Sequence, residues 1–98
     1  MKEITAKELE QKLAAGEKLT IVDVREDVEV ATGIIPGAKH IPLGQIPDRL
    51  DELDKNEHYY MVCRSGGRSG NACQFLIQNG YHVTNMLGGM LDWEGEME

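Results

Sequence analysis

At 98 residues the chain is sized for one compact domain, spanning residues 1–98, and a second hydrophobic core is not expected. A 41% hydrophobic share suffices for an ordinary core without cross-links, and a formal net charge of -7 argues against nucleic acid or an anionic membrane surface as partner. No apolar run approaches the roughly 20 residues that span a bilayer, and the amino terminus lacks the apolar region of a signal peptide, so the expected location is cytoplasmic.

Met1 to Ile4 are read as leading straight into an amphipathic segment. Thr5-Ala6-Lys7-Glu8 has the Thr-x-x-Glu pattern of a capping box, Leu9 and Leu13 follow one turn apart, and Gly16 is the stop, which predicts a helix over roughly residues 6 to 15. Thr20-Ile21-Val22-Asp23-Val24 is short, β-branched and mostly apolar, as expected of a central strand buried on both faces. Arg25 to Thr32 suits a short helix, Gly33 to Ala38 a loop, and His40-Ile41-Pro42-Leu43 a second short strand that Pro42 brings to an end.

Asp48 to Leu53 predicts a brief helix, and Tyr59-Tyr60-Met61-Val62 another strand that stops immediately before Cys63. From Ser69 to Asn79, Ala72, Cys73, Leu76 and Ile77 recur on one helical face, and Gly80 closes the helix. His82 to Met86 reads as a last strand, and the segment from Gly89 onward, with Trp93, as a short closing helix. Alternating strands and helices predict an α/β fold with a small, mostly parallel sheet flanked by helices; in such sheets ligands bind beyond the carboxyl ends of the strands, where Cys63 falls.

A strand ending in cysteine, followed by Arg64-Ser65-Gly66-Gly67-Arg68 and then a helix, is expected to turn its backbone amides toward the sulfur. The positive end of the helix and the charges of Arg64 and Arg68 act in the same direction, so Cys63 is the candidate nucleophile, with a lowered pKa. Read blandly, it is a small core residue beside a solvated turn. That reading leaves two arginines in an acidic chain, placed between a buried strand and a helix start, without a reason.

Cys63-Arg64-Ser65-Gly66-Gly67-Arg68-Ser69 resembles the active-site loop of the rhodanese family of sulfurtransferases. Ile21-Val22-Asp23-Val24-Arg25-Glu26, Glu29, Gly33 to Ala38 and Ile41-Pro42-Leu43 resemble that family's amino-terminal signature, and Leu87-Gly88-Gly89 with Trp93 its carboxyl-terminal one. Ile34 departs from the pattern, standing where members commonly carry a histidine. The resemblance implies a compact α/β fold and a persulfide on Cys63. Arg64, Ser65, Gly66, Gly67, Arg68 and Ser69 would bind a small anionic sulfur donor such as thiosulfate, and a thiol or protein would be the acceptor. No metal or organic cofactor is implied. Two rivals remain: a cysteine phosphatase or arsenate reductase, whose loop has five residues between Cys and Arg where this chain has four, and a non-catalytic binding module, which would leave Cys63 unexplained.

Cys73 is expected to be a buried structural cysteine on the inner helix face, not a resolving thiol. Asp23, Arg25 and Glu29 are expected to support the site as an ion pair or cap. His40, His58 and His82 lack metal-ligand spacing and suit solvated or edge positions. Ser65 and Ser69 are placed to bond the sulfur or to cap the helix, and the two roles are compatible. Met86, Met90, Met97 and Trp93 are expected to close the core, and Glu94, Glu96 and Glu98 to form a solvated tail.

Overall fold

A computed structural model describes all of residues 1–98. Five strands, β1 (Lys2–Thr5), β2 (Thr20–Asp23), β3 (Lys39–His40), β4 (His58–Val62) and β5 (His82–Leu87), form one sheet in the order β1-β5-β4-β2-β3 with every neighbouring pair parallel. Three α-helices, α1 (Ala6–Ala14), α2 (Asp27–Val30) and α3 (Gly67–Gln78), and three short 3₁₀ segments make the connections. β4 is the middle strand, so Cys63 leaves the sheet at the centre of its carboxyl edge.

Successive residues of an extended strand face opposite sides, and the two sides here have separate cores. Val22, Tyr59, Met61, Cys63 and Val83 point to the face covered by Ala72, Cys73 and Leu76 of α3. Ile21, Val62 and Met86 point to the other, where Ala6 and Leu9 of α1 cover them and Trp93 packs at the margin. This double burial is why Ile21-Val22 of β2 and Tyr59 to Val62 of β4 read as apolar runs. α1 starts as expected: the Glu8 amide donates to Thr5 Oγ1 at 3.1 Å and the Thr5 amide to Glu8 Oε1 at 3.0 Å.

Several boundaries differ from the sequence reading. Lys2–Thr5 is an edge strand, paired in register with Thr84–Leu87, and not a lead into the helix. β2 lies inside the sheet, but β4 holds its centre. The strand expected at His40–Leu43 is confined to Lys39–His40, because Leu43 already begins a 3₁₀ turn, although the Ile41 and Leu43 amides still donate to Asp23 and Val24 at 3.0 Å. The helices expected near residue 50 and after Gly89 are 3₁₀ segments, Pro47–Glu52 and Gly89–Asp92. Ile77 is 45% exposed; Ser69 takes the fourth place on the buried face of α3 with Ala72, Cys73 and Leu76. Glu98 is tied down, its backbone exchanging bonds of 2.8 and 3.1 Å with Ile34.

Candidate active site

β4 delivers Cys63, and the chain then turns through Arg64 and Ser65 to Gly66, which caps α3 in a left-handed conformation at φ +103°. That conformation is why glycine stands there. It turns the Gly66 amide inward, 3.0 Å from Cys63 Sγ, while the Ser69 hydroxyl lies 3.3 Å from the same sulfur. The loop is braced by the segment after β5, where the Met90 amide donates to the Cys63 carbonyl at 2.8 Å and the Leu91 amide to the Arg64 carbonyl at 3.0 Å.

Cys63 is only 1% exposed. Burial by itself pushes its pKa up. The Ser69 hydroxyl and the amides of Ser69, Gly66 and Ser65 together outweigh that, leaving the thiol below its ordinary value. Cys73, fully buried on α3, is the contrast: burial first, then the neighbouring Cys63, pushes it up to about 12. It is a protonated core thiol.

The arginines divide. Arg64 is exposed at the loop's outer side. Arg68 is clamped by Glu29 of α2, with Nη1 and Nη2 each 2.7 Å from a carboxylate oxygen, so its charge is shared with Glu29 before any ligand arrives. Ser65 and Gly67 are exposed, whereas Ser69 is buried. The expected support group splits in two. Asp23 and Arg25 form a buried ion pair at 2.9 Å, and Arg25 also donates to the Gly33 carbonyl at 2.7 Å. Glu29 belongs to the second group, bound to Arg68 and, at 2.9 Å, to the Glu26 amide.

Hydrogen bonds from Arg68 first, and from the Glu26 amide, hold the Glu29 carboxyl down at about 2 against an ordinary 4.5. A lowered folded-state pKa means that the carboxylate's contribution is complete above 4.5 and disappears as pH falls through about 2. The pair is partly exposed, so its contribution is discounted to about 1 kcal/mol. Glu29→Gln is therefore expected to lower Tm by roughly 4–8 °C at neutral pH, with a gap to the native chain that narrows steadily between pH 4.5 and 2. Thermal unfolding at several pH values checks this, and a gap constant with pH would refute it.

His40 and His58 are not simply solvated: His40 Nε2 donates to the Arg25 carbonyl at 2.7 Å, and His58 Nε2 bonds Thr84 Oγ1 at 2.6 Å. No cluster of three or more His, Cys, Asp or Glu side chains is arranged to hold a metal. A groove of about 430 Å³ runs between α1 and Trp93, but no residue of the Cys63 loop lines it.

One member of the site was missed from sequence. Asn85, on β5, is 4% exposed; its Nδ2 donates to the Gly66 carbonyl at 3.1 Å, and its Oδ1 accepts from the Ser69 hydroxyl at 2.6 Å. The available signal was an asparagine in the middle of a strand, a residue type depleted there, whose amide must find partners if it is buried.

This arrangement, a cysteine in a ring of loop donors at the carboxyl edge of a parallel sheet, defines a class of fold and site. The Rhodanese-like domain family model matches residues 5–96, and the chain belongs to that family. A Bacillus subtilis protein described as "Putative sulfurtransferase YtwF" is 49% identical over 98% of this chain and 93% of its own length. One from Allochromatium vinosum described as "Sulfurtransferase" is 42% identical over 93% of this chain and 86% of its own. The crystal structure of a rhodanese-like domain protein from Staphylococcus aureus, 47% identical, superposes with a TM-score of 0.94 over 100% of this chain and 97% of that one. No helix is long and apolar enough to cross a membrane.

Proposed function

We propose that this protein is a rhodanese-type sulfurtransferase that carries sulfane sulfur as a persulfide on Cys63. The observation behind the proposal is the donor ring: the Gly66 amide 3.0 Å and the Ser69 hydroxyl 3.3 Å from a sulfur that is otherwise enclosed. Such a ring stabilises an anionic sulfur, either the thiolate or the terminal atom of a persulfide. A thiol this enclosed favours a donor that presents a bare terminal sulfur, such as thiosulfate, over a bulky phosphate ester.

The Cys63 thiolate attacks the outer sulfur of the donor. An S–S bond to Cys63 forms as the donor's own S–S bond breaks, and its electron pair leaves with sulfite. Exposed Arg64, with Arg68 at the start of α3, supplies positive charge for the dianion. In the second half an acceptor thiolate, or cyanide in an assay, takes the terminal sulfur and Cys63 departs as thiolate. No net oxidant is needed.

Intact-mass measurement after incubation with thiosulfate tests this on the native chain and on Cys63→Ser. The expected result is a gain of one sulfur on the native protein alone, reversed by cyanide or a thiol reductant. A folded native protein that gains no sulfur would overturn the thiosulfate reading.

A further inference from the structure

Three neutral groups compete beneath Cys63 for one proton. The Ser69 hydroxyl lies 2.6 Å from Asn85 Oδ1, 3.3 Å from the Gly66 carbonyl and 3.3 Å from Cys63 Sγ. It has a single hydrogen to donate. The Gly66 carbonyl is acceptor-only, which fixes the Asn85 amide with Nδ2 toward it, at 3.1 Å, and leaves Oδ1 facing Ser69. Two oxygens only 2.6 Å apart need a proton between them, and the amide oxygen has none, so in the resting thiol the Ser69 proton lies on Asn85. The thiol can then donate its own proton to Ser69 Oγ. When the sulfur becomes an anion, a charged acceptor replaces a neutral one as the better partner, and the hydroxyl turns to it.

We propose that Asn85 is a positioning residue for the Cys63 nucleophile: through the Gly66 carbonyl it holds the residue whose own amide, on the preceding peptide, faces the sulfur, and it gives the Ser69 proton a resting place until the sulfur ionises. The first action favours the anion and the second opposes it. The grip dominates, because a thiolate already outcompetes a neutral amide oxygen for the Ser69 proton, whereas without Nδ2 the Gly66 carbonyl keeps the Gly70 amide at 3.1 Å but loses the tie to β5, and a glycine at φ +103° is then freer to turn its amide away from the sulfur. The titratable neighbours of the sulfur on α3 are Arg68 and Cys73, with Glu29 of α2 offsetting Arg68. Asn85 brings no charge to this group, so its effect is one of geometry.

The test reads the thiol and not sulfur transfer, so it stands or falls apart from the proposed activity. The rate of Cys63 alkylation by iodoacetamide is followed against pH for the native chain, Asn85→Leu and Ser69→Ala, with circular dichroism confirming the fold. Asn85→Leu is expected to move the midpoint up by about one unit, slowing alkylation near neutral pH about tenfold. On the unmodified native chain, the Asn85 side-chain amide signals in NMR are expected to shift with the same midpoint as Cys63. Superposable pH profiles in a folded Asn85→Leu protein overturn the proposal, as do Asn85 signals that stay flat through the Cys63 titration.

Discussion

Asp23→Ala is expected to cost about 3–5 kcal/mol, the range for removing one partner of a buried ion pair. The Asp23 carboxylate is 1% exposed and receives the Arg25 amide at 3.0 Å together with three guanidinium contacts of 2.9 to 3.1 Å. Its loss leaves a guanidinium, on a residue only 6% exposed, with backbone carbonyls alone as partners. At about 4–8 °C per kcal/mol for a domain of this size, Tm should fall by roughly 12 °C or more. Asp23→Asn keeps the shape and some of the hydrogen bonds and is expected to lose less. Asp23→Ala combined with Arg25→Met should regain part of the loss, because no uncompensated charge then stays buried. Thermal unfolding of the three variants decides the matter; equal Tm for Asp23→Ala and the native chain would show that the pair contributes nothing.

The same change is expected to reach the site. Arg25 ties the segment containing α2 to the end of β2 through the Gly33 carbonyl, and α2 carries the Glu29 that clamps Arg68. Asp23 is thus linked to the loop by an unbroken series of polar contacts, although it does not touch the sulfur. The spacing in sequence suggested one group; the fold makes two, joined by α2.

What was legible in the sequence was local or repetitive. Thr5 and Glu8 announce a helix start because both hydrogen bonds of the cap close within three residues. The two-faced strands were legible because β-branched and apolar residues follow one another without a polar break, and Cys63 stood out because its loop lies between such a strand and a helix start. Lys2–Thr5 was not legible: only Ile4 of its four residues is buried, and its pairing with β5 begins at Thr84, 82 positions from Lys2. Arg68 and Glu29 are 39 positions apart, and Asn85 lies 19 from Gly66, so no spacing could foretell which arginine would be held or which amide would support the loop. Ile77 shows the same limit from the other side. Periodicity placed it on the apolar face, and packing chose Ser69 in its stead, since Ser69 has Cys63 and Asn85 to bond while Ile77 stays 45% exposed.

Gly89→Ala is expected to damage stability and site together. Gly89 has φ +60°, and a Cβ there would lie within 2.4 Å of the Arg64 carbonyl carbon and oxygen. These are backbone atoms of the Cys63 loop, with no flexible side chain to yield. A left-handed non-glycine residue costs on the order of 1–3 kcal/mol, and relieving an overlap with rigid backbone costs a further 1–3 kcal/mol or so, which together suggest a fall in Tm of more than about 10 °C. The chain can relieve the overlap only by moving Gly89 away from the loop or the loop away from Gly89. Either movement strains the bonds from Met90 to the Cys63 carbonyl and from Leu91 to the Arg64 carbonyl, which hold the strand end and the loop in place. The amides around the sulfur then lose their aim, and loss of such donors typically slows a reaction by about a hundredfold or more. In a folded Gly89→Ala protein, sulfur loading of Cys63 should slow by that order while alkylation at high pH, where the thiol is ionised without help, is affected far less. Equal slowing of both reactions would indicate blocked access to the sulfur instead of lost donors.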